Sequence, residues 1–595
     1  MRTHLEPTFR PTRPRHDRQA HQSPLLRVIL PDVRQVLLLL ILLPAFSGTA
    51  PMADEVPLPA TPDWQGTLER AVGGLAWGDA DGDGDLDLAV GCYYANAYPP
   101  ITEWKNYIYS NVGGTLESLP SWTSADERST ADVRWADLDG DGRPDLIAAN
   151  GYDNLAPSVI YFNGPGGVAT TPGWTAADAT WTLGAAAADV DDDGDLDVAF
   201  ANQGRSLDPY RPVSLFYNTG STLETSPTWT SADPAISNVV AWGDVDGLGR
   251  TARSALFTGD GARRVFHVAL LPLEEPVRVS VDGIPVSGFA WERIAGWVSL
   301  PSAPPPGAAV VVGYYNSTTP DLAVSRWTGF ASGIYHNTGG SLESLPGWTV
   351  ADEGRSEKGI GWADVDNDGD LDLAIGASSD ATRLYANQGT GLDATPVWQA
   401  QAAYFGCQDL AWGDVDADGD LDLATVHFGN GHARVYLNEA GTLTDEPCWF
   451  YDCSSSATAI AWGDMNGDGR LDLAVGTARQ PPMVFLNTLP PAGIAEHSGI
   501  LALQLILRPQ PWRAPGRIGF RLPPGSEGRL SIHDPTGRCV RWLPLGSLRT
   551  GSRGIDEIDW NGRDGDGHRL PAGVYLVRLQ AADQQVARPL LLVAP

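Results

Sequence analysis

Short apolar runs and dense acidic loops alternate along most of this chain. One apolar run ends at Trp77, an aspartate-rich loop spans Asp79 to Asp87, and a second apolar run continues to Val90. The same order returns from Trp135, Ala187, Trp242, Trp362, Trp412 and Trp462, so one unit is used seven times. Nothing in the flanks suggests a helix, and each unit predicts a strand-loop-strand hairpin.

After each hairpin a third run closes on an aromatic-x-Asn signature. These are Tyr109 to Asn111, Tyr161 to Asn163, Phe216 to Asn218, Tyr335 to Asn337, Tyr385 to Asn387, Tyr436 to Asn438 and Phe485 to Asn487. A glycine turn usually follows, then a fourth run ending at Trp122, Trp174, Trp229, Trp348, Trp398 or Trp449. Four strands repeated at a period of about 50 to 58 residues predict an all-β fold, a seven-bladed β-propeller over residues 58–489. The last repeat stops at Asn487 without its Trp strand, whereas PLPATPDW, ending at Trp64, has that pattern with nothing before it. This N-terminal strand is expected to complete the blade of residues 458–487 and close the ring. The Trp residues that precede the loops lie on strands, which predicts packing between blades.

The fourth repeat is interrupted. Its loop begins with Asp244 and Asp246, has Leu248 where the fifth position should be acidic, and resumes its second strand only at Asp321. Residues 251–318 between them alternate in short runs and predict a β-rich insert inside a degenerate metal loop that has lost or weakened its cation. Residues 490–499 read as a linker, and 500–595 as a C-terminal immunoglobulin-like β-sandwich. Residues 1–50 read as a secretory signal: a basic region, an apolar core from Val36 to Phe46, then small residues. No later run is long enough to cross a bilayer.

The formal charge of −33 comes largely from the loops. Six of the seven place oxygen-bearing side chains, all carboxylates except Asn466, at positions 1, 3, 5 and 9 around a glycine at position 6. The sets are Asp79, Asp81, Asp83 and Asp87; Asp137, Asp139, Asp141 and Asp145; Asp189, Asp191, Asp193 and Asp197. Three more are Asp364, Asp366, Asp368 and Asp372; Asp414, Asp416, Asp418 and Asp422; Asp464, Asn466, Asp468 and Asp472. Like charges held in one tight loop repel unless a cation sits among them, and an all-oxygen set suits calcium. About six structural Ca2+ sites are expected. An EF-hand would carry a bidentate Glu at position 12, where these loops have Val90, Ala148, Phe200, Ile375, Thr425 and Val475. So acidic a surface argues against nucleic acid as a partner. Among five cysteines, Cys448 and Cys453 lie close enough in sequence for a local bridge to be one of two readings. His427 and His432 read as two partly exposed side chains of a Gly-rich loop. No HExxH, GxSxG or Walker motif occurs, and Lys105 and Lys358 are the only lysines.

The loops resemble the FG-GAP or VCBS repeats of integrin α-subunit propellers and of many exported bacterial proteins. That resemblance implies calcium at the hairpin between the first and second strands of a blade, with position 7 contributing its backbone carbonyl. Asp85, Arg143, Asp195, Asp370, Asp420 and Arg470 would serve there regardless of side-chain charge. GRCVRWL, WNGRDGDG and LPAGVYLVRL are similar to the Ig-like domain of flagellar hook-capping proteins and to secretion-sorting tails, although the terminal RPLLLVAP lacks a basic end.

If the metal loops mark one face, the blade-four insert projects there too, and the opposite face carries aromatic loop residues. Tyr93, Tyr94, Trp104, Tyr152, Trp327, Tyr404, Phe428 and Trp449 are candidate ligand contacts. The expectation is a secreted or cell-surface, monomeric module that recognises an extracellular protein or glycan without catalysis. Two other roles stay open: a polysaccharide hydrolase or lyase acting on the same face, and a structural envelope component.

Overall fold

A computed structural model describes residues 56–93, 104–151, 155–203, 211–220, 223–233, 235–327, 329–351, 355–378, 380–389, 391–401, 406–429 and 431–489. Of the C-terminal part it describes 504–507, 516–521, 528–533, 538–543, 545, 556–565, 567–581 and 584–592. The expected signal and linker lie outside these residues. Among the described residues every regular element is a strand.

Seven four-stranded antiparallel sheets carry the repeats. Blade one comprises Val72–Gly78, Asp87–Cys92, Tyr107–Tyr109 and Trp122–Thr123. Blades two, three, five and six repeat this order, beginning at Thr130–Ala136, Trp181–Ala188, Glu357–Ala363 and Cys407–Gly413. Blade four is split between Ser237–Gly243 and Asp321–Arg326. Blade seven takes three strands from Ala457–Gly463 to Met483–Phe485 and its fourth from Trp64–Gln65, with Trp64 opposite Val484. First strands lie side by side around the ring, and that of blade seven returns to that of blade one.

Three contacts join successive blades at increasing radius. Innermost, the Trp before the loop, present in every blade but the third, packs against the first strand of the preceding blade. A Cβ at Gly78, Gly243, Gly413 or Gly463 would come within 2.9 Å of the rings of Trp135, Trp362, Trp462 and Trp77 respectively. Five of these indoles also donate to a carbonyl of the preceding blade at 3.2–3.3 Å, as Trp135 does to Ala76. These tryptophans therefore pack between blades, as their strand position predicts. At the rim, the fourth-strand Trp meets the third-strand aromatic of the next blade edge-on, with centroids 5.1–5.4 Å apart in all seven steps. Trp64 against Tyr109 is the step that closes the ring. Such pairs contribute about 0.5–1.5 kcal/mol each beyond their buried area.

Between these radii sits the asparagine of the aromatic-x-Asn signature. In every blade its Nδ2 donates at 2.7–2.9 Å to the carbonyl at loop position 2 of the preceding blade. Asn111 reaches Met465 in this way, so the seventh step is the same as the other six.

The insert forms two small sheets. Arg250–Thr258, Ala309–Ser317, Glu274–Val281 and Ile284–Val286 make one; Val265–His267, Trp297–Ser299 and Ala290–Trp291 make the other. It folds back across the loop face rather than merely projecting from it. Arg264 bonds Asp85 Oδ1 at 2.8 Å and the Gly467 carbonyl at 2.7 Å, Ser299 bonds Asp464 Oδ2 at 2.7 Å, and Arg253 pairs with Asp192 at 3.1 Å. Trp297 is fully buried in one apolar cluster with Trp77, Trp135 and Trp462. The C-terminal part has a three-stranded and a four-stranded sheet around Phe520, Trp560 and Val577.

Two side-chain readings are corrected. Cys448 and Cys453 are both free thiols. The strand Trp449–Asp452 separates them, and five residues of extended chain span roughly 16 Å, far beyond disulfide reach. His427 is buried, with Nε2 3.0 Å from the Thr425 hydroxyl, rather than partly exposed.

The asparagine contact can be tested directly. Asn438 donates to Val365 and accepts from Gly441 at 2.9 Å, both buried or half-buried. Asn438→Ala strands these groups and should lower urea stability by about 2 to 4 kcal/mol. A loss under about 0.5 kcal/mol would show the contact to be idle.

Candidate functional site

The acidic loops are pre-shaped by their own backbone. The position-9 Asp is buried in all seven blades. Its Oδ2 accepts the position-2 amide at 2.8–3.0 Å. Its Oδ1 accepts the amide of the signature Asn at 2.7–2.8 Å. In the six complete loops the position-1 Asp accepts the amide of the position-6 glycine at 2.9–3.2 Å. Those glycines hold φ between 82° and 97°, a conformation that disfavours side chains.

Folding the loop this way crowds its carboxylates. Oxygens of Asp79, Asp81 and Asp87 lie within 4.8 Å of one another, as do those of Asp137, Asp139 and Asp145, of Asp189, Asp191 and Asp193, and of Asp364, Asp366 and Asp368. Burial first, then the neighbouring carboxylates, push Asp79 up to about 7 and Asp87 up to about 8. In blade six the same causes take Asp414 to about 7, and in blade seven burial and Asp464 raise Asp472 well above its ordinary value. Crowded, buried oxygens that resist ionisation fit a hard divalent cation, which would remove the repulsion that raises them. The position-7 side chains of Asp420 and Arg143 turn toward their own blade's next turn, to Ala440 N at 2.9 Å and Asn163 O at 3.1 Å. Their role at a cation would therefore fall to the backbone.

Blade four departs from this pattern. Asp244, Asp246, Gly249 at φ 100° and Arg250 keep positions 1, 3, 6 and 7, and Pro320 and Asp321 restore positions 8 and 9 beyond the insert. The sequence reading missed His336. It is the middle residue of that blade's Tyr335 to Asn337 signature, and it joins Asp246 and Asp321 in a group whose ligand atoms lie within 4.8 Å. The available signal was its adjacency to Asn337, whose amide bonds Asp321.

First strands run toward the metal loops, so their starting residues mark the other end of the channel. There Gly73, Ala131, Asn238, Lys358, Gln408 and Thr458, together with Tyr93 and Phe428, line a cavity of about 90 Å³. The Lys358 ammonium donates to Gln408 at 2.8 Å and lies 5.3 Å from the Trp327 ring centroid. Thus Tyr93, Phe428 and Trp327 are brought to one mouth. Trp104 is half-buried, its carbonyl accepting from Arg128 at 2.8 Å. Trp449 belongs elsewhere: it is the fourth-strand Trp of blade six, buried against Phe485. Tyr94, Tyr152 and Tyr404 lie outside the described residues.

Deeper in the channel, Arg134 pairs with Asp132 at 3.0 Å. Asp132 accepts the Ala185 amide and Asp409 accepts the Ile460 amide, each at 3.1 Å, so both carboxylates tie neighbouring first strands together. Burial raises Asp409 to about 7, against the pull of Arg134.

A family model described as FG-GAP-like repeat matches residues 79–148, 137–200, 364–425 and 414–475, and one described as FlgD Ig-like domain matches 513–585. The chain carries FG-GAP-like repeats followed by a FlgD-type Ig-like domain. No curated protein matches it. Crystal structures of BBS1N in complex with ARL6DN are similar at 12% identity. The form soaked with lead has a TM-score of 0.41, with 72% of this chain and 96% of that one covered. The form soaked with mercury has a TM-score of 0.40, with 74% and 99% covered. Among the described residues no helix is long and apolar enough to cross a membrane.

Asp409 yields a pH prediction. Its folded pKa lies above the unfolded value, so its contribution to stability is full near pH 4 and is lost as pH rises through about 7. Asp409→Asn, melted in parallel with the wild type in fixed calcium, should gain relative stability from pH 5 to 8. A pH-independent difference would contradict this.

Proposed function

We propose that this chain is an exported, calcium-stabilised propeller that recognises an extracellular protein or glycan without catalysis. The observation that carries the reading is the separation of two faces. The six complete acidic loops lie at one end of the channel, where the insert is anchored. At the other end, aromatic faces and one ammonium surround a cavity whose described lining holds no carboxylate. Aromatic rings with a cation are suited to stacking on sugars or side chains and to holding an acidic group. A glycoside hydrolase site would need two carboxyl groups turned to the ligand, whereas Asp132 and Asp409, deeper in the channel, each accept an amide of a neighbouring first strand.

Calcium in the loops would supply fixed positive charge and cross-link each hairpin. Asp79, Asp81, Asp83 and Asp87 would hold it in blade one, with their counterparts in the other five complete loops. A ligand set saturated with protein oxygens leaves little room for substrate, which supports a structural role. The Ig-like domain suits display or attachment, and residues 1–50 suit export.

Two variants separate the cation's role from that of the buried buckle. Asp81→Asn, at position 3, removes one of the repelling charges, so it should hold or raise the melting temperature in chelator and reduce the gain on adding calcium. Asp87→Asn, at position 9, should lower it in both conditions, because its oxygens also hold Ala80 and Asn111. A wild type indifferent to chelator would remove the calcium reading. For recognition, a protein and glycan array should yield a ligand whose affinity falls at least about tenfold in Phe428→Ala or Lys358→Met. Turnover of a glycan hit would favour the enzymatic alternative.

A further inference from the structure

We propose that blade four is a seventh metal site of a different kind, binding a divalent transition metal of the zinc or cobalt type through Asp244, Asp246, Asp321 and the imidazole of His336. Three buried polar atoms carry the argument. Both carboxylate oxygens of Asp244 and the Nδ1 of His336 are inaccessible to solvent and make no hydrogen bond. Asp244 is only 4% exposed. In the other six loops the position-1 carboxylate is satisfied by the position-6 amide, and in blade four that bond is missing. The Ser317 hydroxyl sits near Asp244 without reaching hydrogen-bond geometry. A buried carboxylate left in this state is costly unless something binds it.

The position of His336 supplies the rest. Its Nδ1 lies 3.6 Å from Asp321 Oδ1, too far for a hydrogen bond. Two ligands each about 2.1 Å from a tetrahedral metal are roughly 3.4 Å apart, so the spacing is that of neighbours around an ion. The ring is held in place by Gly347, where a Cβ would stand 2.4 Å from its Cδ2. Leu248 removes the position-5 oxygen that calcium would use, and His336 brings a nitrogen from the third strand instead. Exchanging one carboxylate for imidazole shifts preference from a hard cation toward zinc, cobalt or nickel. The neighbouring cations do not fill the place: Arg250 reaches the Glu275 carbonyl at 2.6 Å, and Arg293 pairs with Glu274 at 3.0 Å.

The test uses the full chain saturated with calcium, so that the six oxygen loops do not compete. Cobalt is added and followed by visible absorption, then displaced by zinc in a calorimeter. One site is expected, with an extended X-ray absorption fine structure that shows the outer-shell scattering of one imidazole ring. His336→Phe and Asp244→Asn should each weaken it at least about tenfold, and Asp81→Asn should leave it unchanged. Phe162 stands at the equivalent place in blade two, so an aromatic ring there is compatible with a folded blade; a melting point in calcium near that of the wild type verifies this. No cobalt or zinc uptake by the calcium-saturated wild type, or equal uptake by His336→Phe, would overturn the proposal. Either result would leave calcium in the other loops untouched.

Discussion

The ring depends on one buried carboxylate used the same way seven times. An aspartate at the start of each second strand accepts one amide from its own loop and one from the asparagine that ends the third strand. That asparagine, thus fixed, hands its side-chain amide to the neighbouring blade. Two amides per carboxylate would satisfy the group even without a cation, and a cation would then act on a loop already shaped for it. Intra-blade folding and inter-blade joining therefore share a single hinge of hydrogen bonds, flanked by an indole contact inside and an aromatic edge contact outside.

The architecture was legible because its signals are local. Strand, acidic loop, strand and aromatic-x-Asn fall within one repeat, and the stray strand ending at Trp64 matched the one missing from the last. What each signal does was less legible. Asn438 donates to Val365, 73 positions away, and no pattern within a repeat names that partner. Trp449 belongs to the fourth-strand tryptophans and yet sits in a segment rich in loop-like residues, which made it look like a surface contact. His336 escaped because the middle of the signature varies freely from Ser110 to Phe162 to Leu437, and because its acidic neighbours are separated in sequence by the insert.

That insert changes the meaning of the loop face. Arg264, Arg253 and Ser299 address loops of three different blades, and no spacing within residues 251–318 foretells which. The mouth around Lys358 and Phe428 lies at the opposite end of the channel from the insert, whereas the cavity at the loop end sets Phe289, Trp291, Arg293 and Arg470 beside Asp414 and Asp418 and so mixes aromatic and basic groups with acidic ones.

The two-residue strand that shuts the ring has a mechanical corollary. Trp64 faces Val484 and Gln65 faces Met483, so the incoming and outgoing chains leave the pair at the same end, where the Thr488 amide meets the Pro57 carbonyl at 2.6 Å. A load drawn between the two termini would peel these bonds one after another, as a zipper opens, instead of shearing them together. Under tension, the last blade would be the first to yield.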